Sequence, residues 1–168
     1  MSTVFISYAH SPGNKEIVTT LTETLRNRGL KVVVDLDVQT AAGPTDGWPR
    51  WMNQQIKTAD WVLLLFDGTY RSRFDGDAEK GTGVDWEGLI ITNSLYRDIQ
   101  AHERFVPLRL DDGSPDIISP IISGATQYSI PSESEKLAEA LIGSAPSEPK
   151  VDLQGLLRVD LDTFIAVR

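Results

Sequence analysis

The stretch GTGVDWEGLII, residues 81–91, sets two glycines, Asp85, Trp86 and Glu87 directly before an apolar run. A carboxylate at that place has two readings. It can be a helix-capping charge, because an acid in the first turn gains about 0.3–1 kcal/mol from the macrodipole. It can also be the anion of an active site, with the glycines admitting a ligand and Trp86 fixing the local geometry. It completes no capping box, since the residue three before it is Val84. Spacing alone leaves both readings open.

The elements that must position such a group follow from periodicity. TVFISY (3–8) is short, apolar and rich in β-formers, so it reads as a strand. HSPGN breaks it, and Ile17, Leu21 and Leu25 then recur at helical spacing up to a stop at Gly29. LKVVV (30–34) is a second buried strand, followed by a long polar loop, DLDVQTAAGPTDG (35–47). Loops of that length are often functional. Trp48, Met52 and Ile56 form one stripe of a second helix, with Pro49 tolerated in its first turn. WVLLLF (61–66) is an unbroken apolar run, as a central parallel strand requires.

A second glycine-rich polar loop is expected over 67–83, and a third helix over 85–99 with Leu89, Ile90, Ile91, Leu95 and Ile99 inside. RFVPLRL (104–110) is a fourth strand whose Pro107 points to an edge or an irregular ladder. TQYSI (126–130) is a fifth, and Ser132 with Glu135 reads as a capping box opening a last helix. The domain then spans residues 1–144, and 145–168 reads as a linker and an apolar tail that packs on the domain or leads toward a partner.

Strand and helix alternate through five strands, which predicts an α/β fold: a five-stranded parallel sheet with helices on both faces. No G-x-G-x-x-G follows the first strand, so the flavodoxin-like order 2-1-3-4-5 is expected over the dinucleotide-binding order. Ligands of such sheets bind beyond the carboxyl ends of the strands, where strands 1 and 3 diverge. That rim would hold Ser7, Tyr8 and His10 after strand 1, and Asp67 and Tyr70 after strand 3, with Glu87 beside them.

Composition narrows the partners. A net charge of −8 argues against a nucleic-acid backbone or an anionic membrane. No cysteine is present, which removes disulfides, thiolate metal sites and a cysteine nucleophile, and fits a cytoplasmic protein. Two histidines are too few for a histidine-rich metal centre, so no metal ligands are expected. GDAEKGT (76–82) has the glycine spacing of a phosphate-binding loop but lacks Lys-Ser/Thr after its second glycine. DLDVQ (35–39) opens like a calcium loop but has neither the glycine nor the closing glutamate.

VFISYAHSP, GTGVDWEGLIITNSLY and RFVPLRL, in that order and at that spacing, resemble the SEFIR branch of the TIR (Toll/interleukin-receptor) domains, its bacterial members especially. The resemblance runs over residues 3–142 and implies a flavodoxin-like fold, with the 35–47 loop matching the family's mobile BB loop. Many bacterial and plant members cleave NAD+ to nicotinamide and ADP-ribose or a cyclic form, with a glutamate at the start of the third helix as the essential residue. Glu87 matches that position. NAD+ is then a substrate, and no cofactor is implied. The expected contacts to it are Ser7, Tyr8, Asp35, Trp51, Tyr70, Arg73 and Trp86, with Arg71 or Arg73 meeting the pyrophosphate. The resemblance also implies self-association through TIR–TIR contacts, a sensor module in the same or an associated chain, and a role in antiviral defence. Animal adaptor and receptor members are interaction modules without catalysis, which is the alternative reading here.

A lone carboxylate suits that chemistry. Sugar hydrolases use two, because an alkoxide leaving group must be protonated. Nicotinamide leaves a cationic pyridinium as a neutral molecule, so one preorganised anion facing the oxocarbenium-like transition state is enough.

Overall fold

The fully buried strand β3 (Trp61–Phe66) divides its side chains between two cores, and the rest of the fold follows from that division. The computed structural model describes residues 1–38, 42–76 and 103–144. The helix expected over 85–99, with Trp86 and Glu87, and the tail from 145 lie outside the described residues. β1 (Thr3–Tyr8) lies between β2 (Lys31–Val33) and β3, and β4 (Phe105–Leu110) separates β3 from β5 (Tyr128–Ile130). Every pairing is parallel and the order is β2-β1-β3-β4-β5, the flavodoxin-like sheet anticipated from the pattern.

One face carries Val4, Ile6, Leu63, Leu65 and Leu108 under α1 (Pro12–Asn27) and α4 (Ser134–Gly143). The other carries Phe5, Val62, Leu64, Phe66 and Phe105 under α2 (Trp48–Thr58) and α3 (Gly68–Phe74). Alternation along each strand feeds both cores at once, which is why β3 shows no polar position. Leu63 and Leu64 are wholly buried, so truncating either to alanine costs about 2–5 kcal/mol.

Three local expectations change. Residues 68–74 form α3 where a loop was read from the glycine and polar content. Asp67 caps the helix by accepting the Tyr70 N–H at 2.7 Å, and Gly76, at φ +78°, follows it. Its Tyr70 and Phe74, four residues apart, stack on each other and both pack edge-on against Phe66. Of the two readings of Pro107 the edge fails and the irregular ladder holds: it sits in an interior strand, paired with Leu64. On its other side β5 pairs only from Leu108 onward, so that ladder does not reach Pro107. The Ser132–Glu135 capping box does not form. Ser132 donates instead to Asp111, Glu135 pairs with Arg28, and α4 begins at Ser134 after Glu133. The Ser129 amide, then Lys136, hold the Glu133 carboxyl below its ordinary range.

Candidate functional site

Two neighbouring rims lie at the carboxyl end of β1. Toward β3 the rim, among the described residues, is closed by hydrogen bonds. Tyr70 donates its hydroxyl to Ser7 Oγ at 2.9 Å, both groups being buried. Asn14, on the first turn of α1, donates to the Ala9 carbonyl and to Asp67 Oδ2, each at 2.7 Å. Asp67 is thereby shared between the α3 cap and Asn14. Sequence reasoning missed Asn14; its signal was a polar residue one turn before Val18 and in phase with the buried stripe.

Toward β2 the rim is open. A cleft of about 180 Å³ lies between β1, the start of the 35–47 loop and α2. Ser7, Tyr8, His10, Asp35, Trp48 and Trp51 line it, together with Phe5, Ile6 and Met52. Asp35 opens a short 3₁₀ turn (Asp35–Asp37) fixed from beneath by Arg26, which donates to the Val32 carbonyl at 2.9 Å and to Asp37 at 2.6 Å. The Asp35 side chain is 15% exposed and pairs through Oδ2 with His10 Nε2, whose ring is 57% exposed. Its Oδ1 is buried and has no hydrogen-bond partner among the described residues.

The aromatic wall is built from α2. Trp51 meets Phe5 edge-on with centroids 5.9 Å apart, and Trp48 meets Trp51 edge-on at 5.7 Å. Trp48 was expected on the core stripe with Met52 and Ile56, yet it is 43% exposed while those two are buried. It is the first residue of α2. Gly43 packs against its indole: a Cβ there would come within 2.9 Å of Trp48 Nε1, and the residue has φ +73°. A side chain at 43 is therefore excluded twice, by space and by backbone conformation.

Four of the anticipated contacts, Ser7, Tyr8, Asp35 and Trp51, thus share one cleft, and His10 joins them. Among the described residues Tyr70 does not line it, and it donates to Ser7, which does. Arg73 is exposed on α3 and does not line it either. Arg71 is committed elsewhere: it pairs with Asp75 and donates to the carbonyls of Asp116, Ile117 and Ile118 at 2.9, 3.2 and 3.0 Å. It clamps a distant segment onto α3. Trp86 and Glu87 lie outside the described residues.

A parallel sheet in this order, with a carboxylate-bearing aromatic cleft at its strand ends, defines a flavodoxin-like domain. Residues 4–142 match the TIR domain family, and the chain belongs to it. In structure it is similar to a prokaryotic SEFIR domain, at 22% identity over 88% of this chain and 100% of that one, with a TM-score of 0.60. It is also similar to the SEFIR domain of IL-17 receptor B, at 17% identity over 84% and 95% of the two chains, TM-score 0.53. A metazoan TIR-STING receptor from C. gigas aligns at 16% identity, 82% of this chain and 39% of that one, TM-score 0.57. At these identities the likeness is one of fold. No curated protein matches the chain. Among the described residues no helix is long and apolar enough to cross a membrane.

Proposed function

We propose that this TIR domain is an NAD+ glycohydrolase that cleaves the nicotinamide–ribose bond, with Glu87 as the anion that stabilises the developing ribose cation. The observation that carries the reading is the cleft at the open rim: ring-sized, walled by two indoles, and bearing the mostly buried carboxylate of Asp35. Its volume is below the roughly 300–1,000 Å³ of a site that encloses a whole ligand, so it takes one end of the dinucleotide. The nicotinamide ring is the end that fits an aromatic, electronegative wall. Self-association, general among TIR domains, completes the site in this reading, and clustering by a sensor module in antiviral defence is the setting it proposes. An interaction module without catalysis is the second reading. The exposed Leu36 and Trp48, apolar side chains at the ends of the 35–47 loop, favour it as a contact surface.

The test is free nicotinamide after incubation of concentrated protein with NAD+. Release that rises faster than linearly with protein concentration, and falls at least ~100-fold in Glu87→Gln, supports the hydrolase. No nicotinamide at any concentration, or full turnover in Glu87→Gln, rejects it and leaves the interaction module.

A further inference from the structure

We propose that Asp35 makes the open cleft selective for a ring that carries positive charge, so that it holds the pyridinium form of nicotinamide and lets the neutral ring go. The identity of the ring rests on the glycohydrolase reading; the charge selectivity rests on the cleft itself. A carboxylate that is largely out of water needs hydrogen bonds or a counter-charge. Here His10 supplies one contact to Oδ2 from a mostly solvent-exposed ring, and Oδ1 has no partner among the described residues. Among the described residues no lysine or arginine lines the cleft. Arg26, which meets this turn, is held by Asp37 and the Val32 carbonyl.

The wall favours the same ligand for a different reason. Indole faces attract cations through their quadrupole, more strongly where water is excluded, and Trp48 and Trp51 both border the cleft. A neutral aromatic ring gains the apolar contact alone. A cationic one gains that contact, the indole faces and the attraction of the Asp35 charge together.

This arrangement has a consequence for turnover. When the glycosidic C–N bond breaks, its electron pair stays on the ring nitrogen, which becomes neutral, and the positive charge passes to the ribose. Asp35 then attracts the substrate's ring but not the product's. It strengthens the ground state more than the transition state, so its loss raises KM and leaves kcat unchanged or higher. Departure of nicotinamide is assisted by the same change of charge.

The experiment uses the full chain and two probes of nearly the same shape that cannot be hydrolysed, the N-methylnicotinamide cation and neutral nicotinamide, titrated by calorimetry. The cation should bind at least about tenfold more tightly. Asp35→Asn, close in shape, should remove that preference by weakening the cation alone, while Asp35→Glu keeps it. Equal affinity for both probes, an unchanged preference in Asp35→Asn, or binding of neither overturns the proposal. Nicotinamide release from NAD+ is measured separately: a charge preference without release keeps the selectivity and rejects the hydrolase.

Discussion

The two rims of β1 use the same strand end in opposite ways. On the β3 side, Ser7 pairs with Tyr70 and Asn14 with Asp67 within 2.9 Å, and among the described residues the crevice is closed. On the β2 side, Asp35 keeps one buried oxygen unpartnered among the described residues, and an exposed indole overhangs it. A fully paired polar network rigidifies a fold, whereas a half-satisfied group beside a cavity costs free energy until a ligand offsets it. The first rim is structure, and the second is where the proposed ligand enters. The general rule for parallel sheets pointed to the diverging pair β1/β3; among the described residues the cleft lies one strand over.

Perturbing the closed rim should give the largest stability effects. Tyr70→Ala removes a buried ring packed on Phe66 and Phe74 as well as the Ser7 bond, and should cost about 3–5 kcal/mol in urea unfolding. A loss below about 1 kcal/mol would mean that this rim is not closed in solution. Asn14→Leu strips the donor from Ala9 and Asp67 while keeping bulk, and should cost about 1–3 kcal/mol. A neutral result would identify Asn14 as a bystander.

At the open rim the stability effects shrink and the local ones grow. Gly43→Ala forces an L-residue to positive φ at roughly 1–2 kcal/mol and pushes its methyl into the Trp48 indole. The expected readout is a small drop in thermal midpoint with a clear change in tryptophan fluorescence. Unchanged fluorescence would separate the loop from the cleft wall.

Much of this was legible beforehand. The five strands, their order and the first two helices follow from apolar period and punctuation, because each element buries a face and little else decides it. What escaped was long-range pairing. Ser132 bonds Asp111, twenty-one residues away, in place of the local cap that its spacing with Glu135 offered. Arg71 resembles a solvated loop cation until the chain folds Asp116–Ile118 against it, 45 to 47 residues on. α3 was obscured by its glycines, although the Asp67 cap and the Tyr70/Phe74 spacing were both present in the sequence. In the cleft, Ser7, Tyr8 and His10 were readable as the end of a strand. Asp35 was expected there from the family resemblance, whereas Trp48, read only as part of a helical stripe, was not.

The central claim, that the nicotinamide end of NAD+ enters the open rim, is tested most directly by the indole N–H resonances of the four tryptophans. Glu87→Gln protein, expected to leave NAD+ uncleaved, is titrated with NAD+ and followed by nitrogen-edited NMR. Trp48 and Trp51 should shift saturably, while Trp61, buried in the core on the opposite face of the sheet, should stay in place. Still signals for Trp48 and Trp51 at saturating NAD+ would contradict the account.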